Sequence, residues 1–428
     1  MQRYKVLASA AAVGVAAILT TAAFAQSTTL ASHLPGKVHL LPATLETTQW
    51  GWFDNAQAPV LTIDSGDTVV LETMMHSHNQ VVPGRTIEEI KKLRTDFPGR
   101  GPHTLTGPIY VSGAEPGDVL RVRINKIVPR AYATNFNVPG MFGQFPKEYQ
   151  DGQVKYLYLD LDRKVAEFLP GVYIPLRPFP GTIGVARKEP GRYSSVPPGE
   201  YAGNMDIRDL TEGATLYVPV HVKGALLWTG DSHAAQGNGE VNLTALETAY
   251  REMNITIVLI KGKPLDFPRI ETPRSWIGMG FDQDLNKAWD GARAQTQKLI
   301  AELRNLPADR AAALLPKIAD CRISQVVNIK KGIHCLTAKN PAVAEDMERP
   351  IKETARYYVV HAMDADLNKA MDTASMGMIK LLESAKGVAR LDAYGLASVA
   401  MDCRLGDTSG PEKNVHCLMP KSLWTSPR

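Results

Sequence analysis

The middle of the sequence carries a group of polar side chains capable of chemistry. The stretch from Gly230 to Glu240 places Asp231, His233 and Gln236 among glycines and alanines, after a strand-like run. Small residues allow tight turns and a close approach of the backbone to a ligand. These groups could therefore converge on a metal ion or on the polar end of a small substrate. The alternative is a glycine-rich turn in which Asp231 caps its own backbone.

Further candidate metal ligands lie between residues 72 and 78. On an extended segment, alternate side chains point the same way. His76 and His78 could then share one metal ion, with Glu72 close by. The alternative is a polar loop with two solvent-exposed histidines. His103 is a further candidate ligand.

Short strand-forming runs must position these groups. Runs of Val, Ile, Leu and Thr alternate with Gly/Pro turns, and Thr86 to Arg94 shows the first good helical pattern, with Thr86 as its N-cap. Many short strands separated by Gly/Pro turns are typical of a β-barrel or β-sandwich. We therefore predict a β-rich catalytic core over residues 26–265.

A sequence repeat begins after the predicted core. Four short motifs return 82 positions later without a gap: Glu271-Thr272, Asp284-Leu285-Asn286-Lys287-Ala288, Asp320-Cys321-Arg322 and His334-Cys335-Leu336 recur at Glu353, Asp366, Asp402 and His416. Each copy is predicted to contain a long amphipathic helix, a shorter helix and two strands. The fold class is therefore α+β: a mainly β core followed by two tandem α+β modules, over residues 266–345 and 346–428.

All four cysteines belong to this repeat, two in each copy and 14 residues apart. If the two strands of each copy form a hairpin, Cys321 can face Cys335 and Cys403 can face Cys417. Disulfides are favoured in an exported protein. The alternative is a zinc site in each copy, because a histidine precedes one cysteine, but its fourth ligand would be missing.

The N-terminus has the features of a signal peptide over residues 1–25. Arg3 and Lys5 precede an apolar run, and Ala23-Phe24-Ala25 fits the cleavage rule. An uncleaved membrane anchor is the alternative, although the run is short for one. We predict a periplasmic or secreted protein with no membrane span after cleavage. The formal net charge is +4, and the basic residues form no block along the chain, which argues against a nucleic-acid partner.

Four motifs resemble, in order, those of the acetamidase/formamidase family: Gly107–Asp118, Arg177–Gly184, Gly203–Arg208 and Gly230–Val241. The resemblance covers roughly residues 35–428. It implies a β-rich hydrolase that converts short aliphatic amides to a carboxylate and ammonia, holds a divalent metal and forms a dimer or larger homo-oligomer. The family pattern has one C-terminal module, so the second copy is an addition.

The resemblance also implies roles for individual residues. Asp231 and His233 correspond to a ligand pair, with Glu240 beside them and Gln236, Asn204 and Asp206 as substrate-binding groups. One position departs from the family: Met75 stands where an aspartate is usual, and His76 and His78 follow it. Exchange of a carboxylate for imidazoles favours zinc as the metal.

Amide hydrolysis needs an activated water, a polarised carbonyl and a proton for the leaving nitrogen. A metal held by Asp231 and His233, with ligands from Glu72, His76 or His78, could serve the first two needs. Glu240, or next Glu115, could relay the proton. No Gly-x-Ser-x-Gly motif occurs. Asp231 is a catalytic candidate as well as a ligand. A nucleophilic carboxylate without metal is an alternative.

The sequence thus predicts an exported metal-dependent amidohydrolase, with zinc as the preferred ion. Two alternatives stay open. The altered segment around Met75 could have made the chain a catalytically silent protein that binds a small ligand. The same scaffold could also hydrolyse another small amide or a lactone.

Overall fold

The computed structural model describes residues 36–340 and 350–425. The predicted signal peptide and the predicted boundary between the two modules, at residues 345 and 346, lie outside these ranges. No helix within them is both long and apolar enough to cross a bilayer.

Strands dominate the described chain. They are β1 (Val38–Leu41), β2 (Thr48–Trp50), β3 (Trp52–Asp54), β4 (Leu61–Ile63), β5 (Thr68–Leu71), β6 (Thr104–Val111), β7 (Val119–Pro129), β8 (Tyr132–Phe136), β9 (Val154–Asp160), β10 (Val165–Leu169), β11 (Val172–Pro175), β12 (Phe179–Val185), β13 (Arg192–Ser194), β14 (Ala202–Asn204), β15 (Thr215–Pro219), β16 (Leu227–His233), β17 (Glu247–Thr248), β18 (Tyr250–Ile260), β19 (Arg269–Glu271), β20 (Ser275–Asp282), β21 (Ala319–Gln325), β22 (Lys331–Ala338), β23 (Tyr357–Asp364), β24 (Asp402–Leu405) and β25 (Lys413–Pro420).

Helices are fewer and lie mostly in the repeated region. They are a four-residue turn α1 (His76–Asn79), α2 (Ile87–Thr95), α3 (Leu285–Arg304), α4 (Ala308–Ile318), α5 (Leu367–Lys386) and α6 (Arg390–Ala400), with a 3₁₀ turn at Lys421–Trp424. Helix α2 begins where its cap predicts, because Thr86 and Glu89 form a reciprocal capping box. Asp284 caps α3 and Asp366 caps α5. Each aspartate side chain accepts a hydrogen bond from the backbone N–H of the residue two positions later.

Two large sheets form the scaffold. The first has the order β1-β5-β18-β7-β15-β19-β20-β22-β21-β24-β25-β23. The second has the order β11-β10-β9-β8-β17-β16-β12-β14, with β6 also paired to β16 and β2 and β4 paired to β6. Apolar side chains of both sheets fill one core, including those of Val122 and Ile255 from the first and Ile109 and Ile183 from the second. Both sheets are open in the described ranges, so the barrel alternative is wrong.

The two sequence copies have the same order of elements. The first runs β20-α3-α4-β21-β22 and the second β23-α5-α6-β24-β25. The strand that opens each copy was not predicted. Both disulfides are present, Cys321–Cys335 and Cys403–Cys417. Each joins residues that are opposite each other in an antiparallel pair, so neither copy holds a zinc ion through these cysteines.

The junction between the copies joins equivalent positions. Strands β21 and β24 pair antiparallel at Arg322 and Arg404, which are 82 positions apart. The helix starts also meet reciprocally. Asn286 Nδ2 donates to Asp366 Oδ1 at 2.8 Å, and Asn368 Nδ2 donates to Asp284 Oδ1 at 2.8 Å.

Candidate functional site

Strand β16 carries the centre of the site at its carboxyl end. It lies between β12 on one side and β6 and β17 on the other, so its side chains are buried. Asp231 and His233 are two residues apart on this strand, and their side chains meet, with Asp231 Oδ1 3.3 Å from His233 Nε2. They keep 3% and 1% of their surface exposed. Asp231 has a left-handed φ of 50°, a strained conformation of the kind that concentrates at functional sites.

Five buried side chains meet around Asp231 and are called here the His–acid cluster: His76, His103, Asp231, His233 and Glu247. Asp231 Oδ1 lies 2.9 Å from His76 Nε2 and 3.3 Å from His233 Nε2, and its Oδ2 lies 3.5 Å from His103 Nε2. Glu247 Oε2 lies 3.2 Å from His233 Nε2 and 3.4 Å from His76 Nε2. Strand β17 places Glu247 directly opposite His233.

Two further buried carboxyl groups adjoin the cluster and are called the acid pair: Asp206 and Glu240. With His233 they form a second set of candidate ligand atoms that lie within 4.8 Å of one another. Asp206 Oδ1 is 3.6 Å from His233 Nδ1, and Asn328 Nδ2 donates to Asp206 Oδ2. Both acids have left-handed backbones, with φ of 51° and 50°. In the described chain Glu240 Oε2 is buried without a hydrogen-bond partner.

Burial and neighbouring charges move the pKa values of these groups in opposite directions. Burial works to raise the pKa of Asp231, but the adjoining imidazoles of His103 and His233 outweigh it and hold that pKa well below its usual value. Burial lowers the pKa of His103 to about 3, so this imidazole is neutral at neutral pH, as a metal ligand must be.

The pKa values of the acid pair are raised. Burial raises the pKa of Asp206 well above its ordinary value, and the charges of Asp231 and Glu247 add to this effect. The pKa of Glu240 is raised well above its ordinary value by burial and then by the charge of Asp206. Two adjacent buried carboxyls cannot both ionise cheaply, so the pair retains a proton. One buried site therefore combines the ionised carboxylate of Asp231 with a carboxyl that can donate a proton.

The His–acid cluster fits a divalent metal on its own geometry. Two ligand atoms that are each about 2.1 Å from one tetrahedral ion lie roughly 3.4 Å apart. The nitrogen–oxygen distances of 2.9–3.5 Å around Asp231 are of that size. Imidazole and carboxylate ligands suit zinc and related first-row ions. Glu247 Oε2 also has no hydrogen-bond partner in the described chain, so it is available as a ligand.

The comparisons with known proteins show to which family this chain belongs. A model of the Acetamidase/Formamidase family matches residues 46–190 and 188–424. This chain belongs to the Acetamidase/Formamidase family. It is similar to a candidate formamidase of Schizosaccharomyces pombe, with 30% identity over 44% of this chain and 58% of that one. It is also similar to the acetamidase of Mycolicibacterium smegmatis, with 29% identity over 37% of this chain and 54% of that one. The chain thus spans little more than half the length of these curated relatives.

A solved structure matches over nearly its whole length. A predicted acetamidase/formamidase from the thermophile Thermoanaerobacter tengcongensis is 29% identical, with a TM-score of 0.64, and the match covers 73% of this chain and 99% of that one. The present family member is therefore longer by about a quarter of its chain. The 35 undescribed N-terminal residues and one 82-residue copy together have about that length.

The structure brings most predicted site residues of this family member together. Asp231 and His233 are in the His–acid cluster, as are His76 and the further candidate His103. Asn204 and Asp206 line the adjoining cavity with Glu240. Gln236 does not line it, because its amide donates to the backbone carbonyls of Asp206 at 3.4 Å and Ser324 at 3.3 Å. Its predicted role in substrate binding is therefore replaced by one in holding the backbone.

Three predicted site residues lie apart from the cluster. His78 does not join His76, because residues 77–79 are left-handed rather than extended, and its ring instead lies 6.0 Å from that of Trp50. Glu72 follows buried Leu71 on β5, so it points the other way and pairs with Arg130 at 3.5 Å. Glu115 is exposed in the turn between β6 and β7, where its backbone N–H donates to Asp118.

Sequence reasoning missed Glu247, Arg94 and Asn328. Glu247 stands alone as an acid in the apolar run from Ala245 to Ala249, which is a signal that could have indicated it. Arg94 lines the cavity, and its Nη1 is buried without a hydrogen-bond partner in the described part of the chain. Burial lowers the pKa of Arg94 to about 10, so it stays charged. Nothing in the sequence around Arg94 or Asn328 distinguishes them from surface residues.

Both sequence copies reach the site. The first contributes Asn328, which binds Asp206. The second holds the loop over residues 237–245, which carries Glu240. Tyr394 Oη donates to the carbonyl of Val241 at 2.7 Å, and Ser398 Oγ donates to that of Thr244 at 2.7 Å. Helix α6 therefore fixes the loop of one member of the acid pair.

Proposed function

We propose that this chain is an exported, metal-dependent hydrolase that converts carboxamides to a carboxylate and ammonia. The observation that carries the proposal is that the His–acid cluster and the proton-holding acid pair adjoin each other on the lining of one cavity. The names of the relatives, an acetamidase and a candidate formamidase, agree with this chemistry.

The metal would be held by the His–acid cluster, and zinc is the ion we propose. His76, His103, Asp231, His233 and Glu247 offer three imidazoles and two carboxylates, more than a zinc ion needs. A bound zinc ion supplies polarisation of a carbonyl oxygen and a lowered pKa for water. Met75 in place of an aspartate does not remove the site, because the next residue, His76, contributes its imidazole.

The remaining groups handle the proton and the substrate. Hydrolysis adds a hydroxyl to the carbonyl carbon, breaks the C–N bond and requires a proton on the departing nitrogen. The raised pKa of Glu240 keeps a proton on the acid pair, and its carboxyl can supply that proton. Asn204 and Asn328 line the cavity, where their amide groups can orient the amide. Arg94 provides a buried cation with a free N–H for the carboxylate product.

Chelation and substitution test this function together. We expect ammonia release from a panel of primary amides, loss of that release after dialysis against a chelator, and its return with zinc. His233→Ala should lose both metal and activity, whereas His78→Ala should keep both because its ring lies outside the cluster. Metal bound without ammonia release from any primary amide, and without ring opening of any lactone, would indicate the binding-protein alternative.

The acid pair has its own test. Glu240→Gln should lower kcat by about 10²–10⁴-fold while metal content stays unchanged, because a general acid contributes that much. The matched control is Glu115→Gln, at an exposed turn, which should leave kcat unchanged. Equal activity of Glu240→Gln and the unaltered protein would rule out Glu240 as the proton donor.

We further propose the export, domain and assembly features predicted above. The signal-like N-terminus and the two disulfides support a periplasmic or secreted protein. The common order of elements in the two copies supports a duplicated module after a core that ends near residue 265. Mass spectrometry of the exported protein should give Gln26 as the first residue, and light scattering should show a homo-oligomer.

A further inference from the structure

The cavity beside the acid pair is much larger than a formamide or acetamide molecule. Its volume is about 350 Å³. At about 30 Å³ for each water-sized group, the four non-hydrogen atoms of acetamide would fill roughly a third of it. The remaining space would hold about six to eight further non-hydrogen atoms.

The lining of this cavity combines polar groups with apolar side chains. The polar groups include Asp206, Asp231 and Glu240 of the site and the cations Arg94 and Arg100. Six apolar side chains also line the cavity and are named here the acyl wall: Phe136, Phe142, Val196, Leu243, Val327 and Ile329. A ligand whose amide meets the polar groups of the site can place its acyl part against this apolar surface. Burial of that part is favourable by about 0.8 kcal/mol for each methylene.

Two members of the acyl wall are large apolar residues with solvent-exposed side chains. Phe142 is 40% exposed and Ile329 is 61% exposed. Ile329 also has a left-handed φ of 63°, which is unfavourable for a β-branched residue. Exposed apolar side chains beside a cavity mark a surface for an apolar ligand, and retained backbone strain is typical of ligand sites.

From these observations we infer that the preferred substrates are primary amides with an apolar acyl part of about four to eight non-hydrogen atoms beyond an acetyl group, such as hexanamide and phenylacetamide. This inference rests on the proposed amide hydrolysis. It assigns Phe142 and Ile329 as residues that determine acyl size, and it makes formamide and acetamide poor substrates.

A graded series of amides tests the inference. We expect kcat/KM to rise about fourfold for each methylene from acetamide through butyramide to hexanamide, the factor that 0.8 kcal/mol corresponds to. Phenylacetamide should exceed acetamide by about 100-fold or more. A flat series, or one with its maximum at formamide or acetamide, would overturn the inference and leave amide hydrolysis standing.

A pair of isoleucines provides a matched variant and control. Ile329→Ser should lower kcat/KM for phenylacetamide about 5–10-fold and leave that for acetamide within twofold, because only the larger acyl group reaches the acyl wall. Ile351 is 56% exposed and is not among the residues that line the cavity, so Ile351→Ser should change neither value. Equal effects of Ile329→Ser on both amides would contradict the assignment of Ile329.

Binding separates failure of the acyl wall from failure of the hydrolase. Calorimetry on the metal-loaded protein should show that phenylacetate binds at least tenfold more tightly than acetate. If no amide is hydrolysed but this preference holds, the hydrolase proposal fails and the acyl pocket stands. If amides are hydrolysed but the two carboxylates bind equally, the acyl pocket is refuted.

Discussion

The most direct perturbation of the site is a single methyl group at Gly181. This residue lies on β12, between Phe179 and Val185. A Cβ added there would lie 2.5 Å from Cε1 of His233 and 2.7 Å from both Oδ1 of Asp206 and Oδ2 of Asp231. Ordinary contacts begin near 3.4 Å. The methyl group would therefore have to displace three site groups by close to 1 Å, because β12 is held by strands on both sides.

The expected cost follows from that displacement. Insertion of a methyl group into a packed interior typically destabilises a protein by about 1–3 kcal/mol. Displacement of reacting groups by about 1 Å can lower the rate about 10²-fold. We therefore expect Gly181→Ala to remain folded, to bind zinc at least tenfold more weakly and to lose about 99% of kcat. Unfolding in urea, metal titration and ammonia release measure the three effects.

The control is a glycine with room for a methyl group. A Cβ at Gly291, in α3, would meet no atom closer than 3.5 Å. Gly291→Ala should raise the free energy of unfolding by about 0.5–1 kcal/mol, as expected for a helix interior, without changing metal affinity. If Gly181→Ala binds zinc and releases ammonia like the unaltered protein, the His–acid cluster is not the catalytic site.

Three other perturbations have defined outcomes. Asp209 is buried 3.6 Å from Arg322, and although burial opposes it, the charge of that arginine holds the pKa of Asp209 well below its usual value. This carboxylate therefore contributes stability that is complete above about pH 4 and is lost as the pH falls further. Asp209→Asn should lower the free energy of unfolding by about 3–5 kcal/mol at pH 7, and urea unfolding should show that this loss becomes smaller below pH 4. A loss that does not depend on pH would contradict the lowered pKa of Asp209. Replacement of Cys403 and Cys417 by serine should cost about 3 kcal/mol, measured in the same way, because their bridge closes a short loop; an unchanged unfolding midpoint would show that the bridge does not form. Tyr394→Phe should cost about 1 kcal/mol and lower kcat, because it removes the hydroxyl that holds a site loop; unchanged kcat would show that helix α6 does not position that loop.

Features with local causes could be predicted from the sequence. Thr86 and Glu89 define a helix start through contacts within one turn, and α2 begins there. The disulfide in each copy was predicted correctly, because a hairpin of two strands and a turn lets two cysteines 14 residues apart face each other. Strand order depends on contacts between distant segments, so composition alone did not distinguish open sheets from a barrel.

In the site, too, features with local causes could be predicted and features that depend on distant segments could not. Asp231 and His233 were identified because they stand among small residues and match a motif of the family, and β16 carries both at its carboxyl end. The error at His78 came from assuming an extended backbone where three consecutive residues adopt left-handed conformations. Glu247 reaches the site only because the two-residue strand β17 pairs with β16, and no motif near Glu247 indicates that pairing.

The pairing of Arg322 with Arg404 has a consequence for how the molecule behaves on dilution. Antiparallel contact between equivalent residues is the geometry that separate subunits adopt about a two-fold axis. Here the two sequence copies belong to one chain, so their association is unimolecular. Its equilibrium therefore does not depend on the protein concentration. The contact between the two copies should therefore persist at protein concentrations at which a comparable interface between separate subunits would dissociate.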